Sequence, residues 1–241
     1  MLNVLSIDWD YFIDANALQR LEHFPDVPNE NYAQSVKDAI WTSRYADDGE
    51  LLKIGINPIA YDVAYALESM DVPFTVVCDS HKWAYTFIME QLKETGNKQV
   101  NLLNLDYHHD CRSDIKELDC GNWLSVLMSK CRGKWRWLGW KDSYRPGKPR
   151  KLQFMTEFNK DLIKNTPWDM VFICRSDMWS PPHLDELFTD VFQEVTTDKY
   201  CKVQKGIWDS RYSEELKKDA DELKKAIADW VGKVRRGEIV K

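Results

Sequence analysis

The chain has no Cys-x-x-Cys pair: its six cysteines, Cys78, Cys111, Cys120, Cys131, Cys174 and Cys201, are scattered over 241 residues. That argues against a zinc ribbon, and it suits reduced thiols in a cytosolic protein better than a disulfide framework. No apolar run approaches the roughly 20 residues that a membrane-spanning helix requires, so no membrane partner is expected. No positive charge precedes the first apolar residues. A secretory signal is therefore not expected, and the expected compartment is cytoplasmic. Net charge is −6 and no basic block is large enough to form a nucleic-acid groove. The densest basic stretch, Lys141 to Lys151 (KDSYRPGKPRK), is rich in proline and glycine and reads as a solvated loop. No repeat, low-complexity segment or linker divides the chain. What is present is 44% hydrophobic and 12% aromatic, with eleven tryptophans. That is the composition of a packed globular protein, long enough for one α/β domain over residues 1–241.

Strand and helix signals alternate along the sequence. Val4, Leu5, Ile7, Trp9, Tyr11 and Phe12 predict a buried first strand. An acid-rich polar segment follows, residues 14–53, carrying Trp41 and Tyr45. Asn57-Pro58 opens a helix whose apolar face is Ala60, Val63, Ala64, Leu67 and Met70. FTVVC (74–78) is the next strand, and Ala84, Phe87, Ile88 and Leu92 share a helix face that Gly96-Asn97 closes. The first half of VNLLNLDYHHDC (100–111) is a third strand, and GNWLSVLMSK leads from a loop into a helix. WRWLGW (135–140) and MVFIC (170–174) are two more strands. Pro181-Pro182 precede the helix HLDELFTDVFQE. Leu216, Ala220, Leu223, Ile227, Trp230 and Val234 mark a C-terminal helix over 211–236, expected to dock on the body. The alternation predicts a three-layer α/β fold, a mainly parallel sheet with helices on both faces and its sites at the carboxyl ends of the strands.

Three strands end in polar clusters that should meet at that edge. SIDWD places Asp8 and Asp10 two residues apart, CDSHKW places His81 between a strand and a helix, and DYHHD places Asp106, His108 and Asp110 at alternate positions. Like charges side by side in a core strand repel and are costly to desolvate. Divalent cations would offset them. Four carboxylates and two imidazoles are too oxygen-rich for a typical structural zinc site and suit Mn²⁺, with Fe²⁺ or Co²⁺ not separable on ligand type.

These motifs resemble those of the arginase (ureohydrolase) superfamily, which carries Asp-x-His-x-Asp, Ser-x-Asp-x-Asp and one further ligand histidine at a strand-to-helix turn. Here Ser-x-Asp-x-Asp comes first in the chain, an order that is similar to a circularly permuted short form that includes peptide arginases. The resemblance implies an arginase-like sheet with permuted strand order and two Mn²⁺ ions. One would be held by His81, Asp106, Asp110 and Asp8, the other by His108, Asp106, Asp8 and Asp10. It implies hydrolysis of arginine side chains in a precursor peptide to ornithine, with release of urea. Alternatives are a hydrolase of free arginine or agmatine, a deacetylase-like amide hydrolase, and a non-enzymatic module stiffened by metal. The resemblance further implies that Asp110 orients the attacking hydroxide, with His109 and His183 as candidate proton shuttles. Asp177 is the candidate for holding the guanidinium, and Asn122 for a substrate contact. The acids of residues 14–50, with Trp41 and Tyr45, are expected to form a groove for a basic peptide.

Overall fold

The computed structural model of the chain describes residues 1–25, 29–47, 49–196, 201–203 and 214–236. Seven strands, β1 (Leu2–Asp8), β2 (Thr75–Cys78), β3 (Gln99–Leu105), β4 (Arg132–Leu138), β5 (Leu152–Met155), β6 (Met170–Cys174) and β7 (Cys201–Val203), form one sheet. Their order is β5-β4-β3-β1-β6-β2-β7, and every pairing in it is parallel. The helices are α1 (Ala17–His23), α2 (Gln34–Asp47), α3 (Ile59–Glu68), α4 (Trp83–Thr95), α5 (Trp123–Lys130), α6 (Lys160–Lys164), α7 (Asp185–Thr196) and α8 (Glu214–Arg235).

A parallel sheet is buried on both faces, which is why β1, β2 and β6 read as continuous apolar runs. On one face Leu5, Ile7, Val77, Leu103 and Ile173 pack under Val63 and Leu67 of α3, Ile163 of α6 and Phe188 and Phe192 of α7. On the other, Val4, Val76, Leu102 and Phe172 pack under Phe87 and Ile88 of α4 and Trp123 and Leu127 of α5. This is the expected three-layer architecture. A third cluster (Ile13, Phe24, Trp41, Leu51, Ile54 and Leu184) joins α2 to the connections around it.

The register sets the site. Ile7 pairs with Leu105 of β3 and with Ile173 of β6, and Cys78 of β2 pairs with Cys174 of β6. Four adjacent strands therefore finish level, and the residues that follow each of them meet along one edge.

Several elements differ from the sequence expectation. The first strand stops at Asp8, and Trp9–Phe12 is a 3-10 turn instead of more strand. The Asp8 carboxylate causes this by accepting the Asp10 N–H at 3.0 Å, a side-chain bond that competes with the strand ladder. Residues 14–53, where the sequence reading places no elements, carry α1 and α2, α1 being closed at its start by a capping box between Asn16 and Gln19. Strands β5 and β7 and helix α6 were not anticipated, since runs of three to five residues carry little periodicity. The C-terminal helix packs against α2, with Ala220 buried and Leu223 at its margin. The side chains of Leu216, Ile227, Trp230 and Val234 lie outside the described residues. Cys78, Cys111, Cys120, Cys131 and Cys174 are free thiols.

Candidate metal centre

Asp8 ends β1, Asp10 sits in the turn after it, His81 follows β2, and Asp106, His108 and Asp110 follow β3. The sheet brings all six together. His81 Nδ1 lies 3.0 Å from Asp8 Oδ2, 3.1 Å from Asp110 Oδ2 and 3.3 Å from Asp106 Oδ2. His108 Nδ1 lies 2.8 Å from Asp10 Oδ2 and 3.9 Å from Asp106 Oδ1. Two groups of atoms are close enough to share an ion: Asp8, His81 and Asp106, and Asp10, Asp106 and His108. Asp106 belongs to both. Asp8 belongs only to the first group, whereas the resemblance implied that it would serve both sites.

Asp106 to Asp110 converge by a turn, not by the alternation of an extended strand. The His108 N–H donates to Asp106 Oδ1 at 2.7 Å, and Asp110 has a left-handed backbone with φ 47°. Such a φ is strained for a non-glycine residue and persists only where surroundings enforce it. Here the first N–H groups of α5 enforce it, since Leu124 and Ser125 donate to the Asp110 carbonyl. Trp123 Nε1 donates to Asp110 Oδ2 at 2.6 Å, and Asn104 Nδ2 to Asp106 Oδ2 at 3.0 Å. Ser6 takes the far side of the imidazole: its Oγ lies 2.7 Å from His81 Nε2. With Nε2–H donated to that hydroxyl, Nδ1 presents its lone pair to the carboxylates. The ring is clamped between Phe172 and Trp123.

The electrostatics show what the cluster lacks. Burial pushes Asp8 up to about 6, and the Asp10 charge adds to the effect. Burial also raises Asp106 well above the carboxylate range, with Asp110, Asp10 and Asp8 all repelling it. Asp10 and Asp110 are lowered despite burial, because His108 faces the first and His81 the second. Burial alone would lower His81, but the carboxylates of Asp106, Asp110 and Asp8 hold it well above its ordinary value. Four carboxylates thus share protons with two imidazoles in a site nearly closed to water. His81 Nδ1 and Asp10 Oδ2 are buried and face the charged groups named above at contact distance without the geometry of a hydrogen bond. Buried polar atoms without hydrogen bonds in an oxygen-rich set are what a divalent cation would satisfy. The residues therefore fit a metal ion.

The cluster floors a cavity of about 850 Å³ lined by Asp8, Glu30, His81, His108, Asp110, Arg112, Asp114, Asp119, Tyr144, Ser176 and Trp179, among others. Glu30 is a residue that sequence reasoning missed. It is 8% exposed, and its Oε2 accepts from the Ser80 hydroxyl. Its Oε1 is buried with no hydrogen-bond partner among the described residues. Burial, then the Asp177 charge, raises its carboxyl well above the ordinary range. Asn31 holds the turn that carries Glu30 over the cavity, donating to Asp119 Oδ2 and accepting from Lys82 Nζ. Ser176 is the second missed residue, 1% exposed with a left-handed φ of 58° and an Oγ that likewise has no partner. No local signal marked either one, because a lone Glu in a polar stretch and a Ser after a strand are common.

The remaining expected site residues have polar partners of their own. The Asp177 carboxylate, 1% exposed, is paired with Lys37 Nζ of α2 at 2.5 Å and does not line the cavity. His183 has both ring nitrogens engaged, Nδ1 by the Tyr45 hydroxyl and Nε2 by the Ile54 carbonyl. His109 does line the cavity, but its Nε2 donates to the Pro146 carbonyl and its Nδ1 accepts the Cys111 N–H. Neither histidine has a nitrogen left for proton transfer. Asn122 staples its own loop, donating to the carbonyls of Ile115 and Glu117 and accepting the Asp119 N–H. Nor do Trp41 and Tyr45 form a groove. Trp41 is fully buried and donates to the Asp177 carbonyl, so this face of α2 is clamped onto the segment after β6.

The chain matches no family model, no curated protein and no solved structure. Among the described residues, no helix is long and apolar enough to cross a membrane.

Proposed function

We infer that the chain is a metal-dependent hydrolase that converts arginine side chains of a peptide to ornithine and urea. The observation that carries this reading is the pair of Asp/His groups sharing Asp106 on the floor of an acidic cavity. His81, Asp8, Asp106 and Asp110 would hold one ion, and His108, Asp10 and Asp106 the other. When bound, two Mn²⁺ ions supply the Lewis acidity and acidified water that hydrolysis of an inert guanidine requires.

The chain's own groups do the rest. Glu30 Oε1 is the acceptor for one edge of the guanidinium, the role that Asp177 was expected to fill, and Ser176 Oγ, which lines the same cavity, is a second acceptor. The hydrogen bond from Trp123 holds one oxygen of Asp110, leaving the other to orient the attacking water. Asp110 takes a proton from that water as oxygen adds to the guanidine carbon, and returns it to the side-chain nitrogen as the C–N bond breaks. The carbon departs as urea with its two terminal nitrogens, and ornithine remains in the peptide. Trp179, packed on the His108 ring at 4.6 Å, and Tyr144 line the cavity with aromatic surface.

Arginine in a peptide is favoured over free arginine by what lines the mouth. Apart from histidines, Arg112 is the one cation among the described lining residues, and one edge of its guanidinium, Nε and Nη2, is paired with Asp114 at 3.2 and 2.6 Å. That pairing offsets the charge that would otherwise draw in an α-carboxylate. The test is mass spectrometry with urea detection after Mn²⁺ loading, offering an arginine-containing peptide or free arginine. Conversion to ornithine on the peptide alone is the expected result. Turnover of free arginine alone would overturn the peptide assignment, and no turnover on either would overturn the chemistry.

A further inference from the structure

At the other end of the sheet from the metal centre, β4 has an open edge. Arg132, Gly133 and Lys134 pair with Gln99, Val100 and Asn101 of β3 on one side. The pairing with β5 on the other side begins only at Trp135 opposite Leu152. The first three residues of β4 thus have one strand neighbour among the described residues, and all three are exposed. Gly133 leaves the backbone there bare. It has to be glycine, because a Cβ would come within 2.1 Å of the Val100 carbonyl oxygen. An exposed edge with unpaired N–H and C=O groups is a template for another strand.

A cleft of about 480 Å³ runs along this edge, lined by Met128, Cys131, Arg132, Gly133, Lys134, Trp135, Arg136, Lys151 and Gln153. Four of these are cations and none is a carboxylate. Lys151 Nζ is placed by the Met128 carbonyl at 2.8 Å, and Arg136 Nη2 donates to Asn101 Oδ1 at 3.0 Å. Arg136 Nε is buried with no hydrogen-bond partner among the described residues. None of the four is paired with a described carboxylate, although the chain as a whole is acidic. Arg132, Lys134 and Arg136 alternate along the strand, so their side chains leave one face at a spacing of roughly 7 Å, which is the spacing of alternate side chains in an added strand.

We propose that this edge binds an extended acidic peptide segment, which adds beside Arg132–Lys134 and sets alternate Asp or Glu side chains against Arg132, Lys134, Arg136 and Lys151. The site is separate from the metal centre and does not depend on the guanidine chemistry.

The test is fluorescence anisotropy with a dye-labelled twelve-residue peptide of alternating Glu and Thr that contains no arginine. Two further peptides serve as controls, one with Lys in place of Glu and one with Pro in place of Thr, which keeps the charge but cannot pair as a strand. Saturable binding of the Glu-Thr peptide alone, weakened at least about tenfold in the R132E/K134E variant, is the expected result. Both positions are exposed, and an unchanged melting temperature shows that the variant is folded. Absence of binding overturns the proposal. So does equal binding of the Pro peptide, which would reduce the site to charge attraction without strand addition, or equal binding by R132E/K134E.

Discussion

Replacing Glu30 by glutamine separates binding of the substrate's charge from integrity of the metal centre. The substitution keeps shape and volume, so the Ser80 hydroxyl retains an oxygen to donate to, and only the negative charge is lost. The folded protein holds that charge at a cost: burial and the nearby Asp177 both disfavour it. Glutamine at this position is therefore expected to leave stability unchanged or slightly higher. Catalysis should suffer, because Glu30 Oε1 is a buried acceptor without a partner, and a cationic substrate is the partner assigned to it. A hydrogen bond to a charged group contributes about 1.5–3 kcal/mol, which corresponds to a loss of about 10- to 150-fold in kcat/KM. Ornithine formation on an arginine peptide measures the loss, with melting temperature and metal content measured in parallel. Activity within twofold of the parent would refute the assignment of Glu30 to the substrate. A loss of bound metal along with activity would refute the separation of the two roles.

The counterpart at Asp177 should behave in the opposite way. Asp177→Asn leaves Lys37 buried and unpaired, a change that costs about 3–5 kcal/mol and lowers the melting temperature by roughly 6–20 °C. In Asp106→Ala neither group of ligands remains complete, so bound metal should fall to near zero by atomic emission, whereas Asp10→Ala should retain about one ion per chain. Ser6→Ala removes the hydroxyl at His81 Nε2 and should weaken metal binding about 10- to 100-fold in a chelator competition assay. Metal binding should also tighten as pH rises. Asp8, raised to about 6, and His81, raised above its ordinary value, both carry protons that an incoming ion displaces. Apparent affinity should therefore climb through and above pH 6, and calorimetry in buffers of different ionisation heat should show proton release. An affinity that does not change with pH would mean that these groups are already deprotonated.

Much of the metal centre was legible in the sequence because a ligand set has a strict chemical identity. Asp8, Asp10, His81, Asp106, His108 and Asp110 were recognisable from residue type and from their place after apolar runs, and a parallel sheet carries the ends of such runs to one edge. The apolar runs themselves determined β2, β3 and β6, because a strand buried on both faces has few polar choices. Tertiary structure decided everything that depends on who else is present. Asp177, His109 and His183 have the chemistry of site residues, but Lys37 occupies Asp177 Oδ2, and Pro146, Cys111, Tyr45 and Ile54 occupy the ring nitrogens of the two histidines. Asp177 Oδ1 is buried without a hydrogen-bond partner among the described residues but does not line the cavity. Sequence alone contains no sign of those partners, which come from positions as much as 140 residues away. Glu30 and Ser176 were invisible for the converse reason: what marks them is the absence of a partner, and that absence exists only once the chain has closed around them. Composition and periodicity set which side chains can ligate and which must be buried. The fold alone decides which polar atoms remain free to act, because hydrogen-bond satisfaction is a property of neighbours in space.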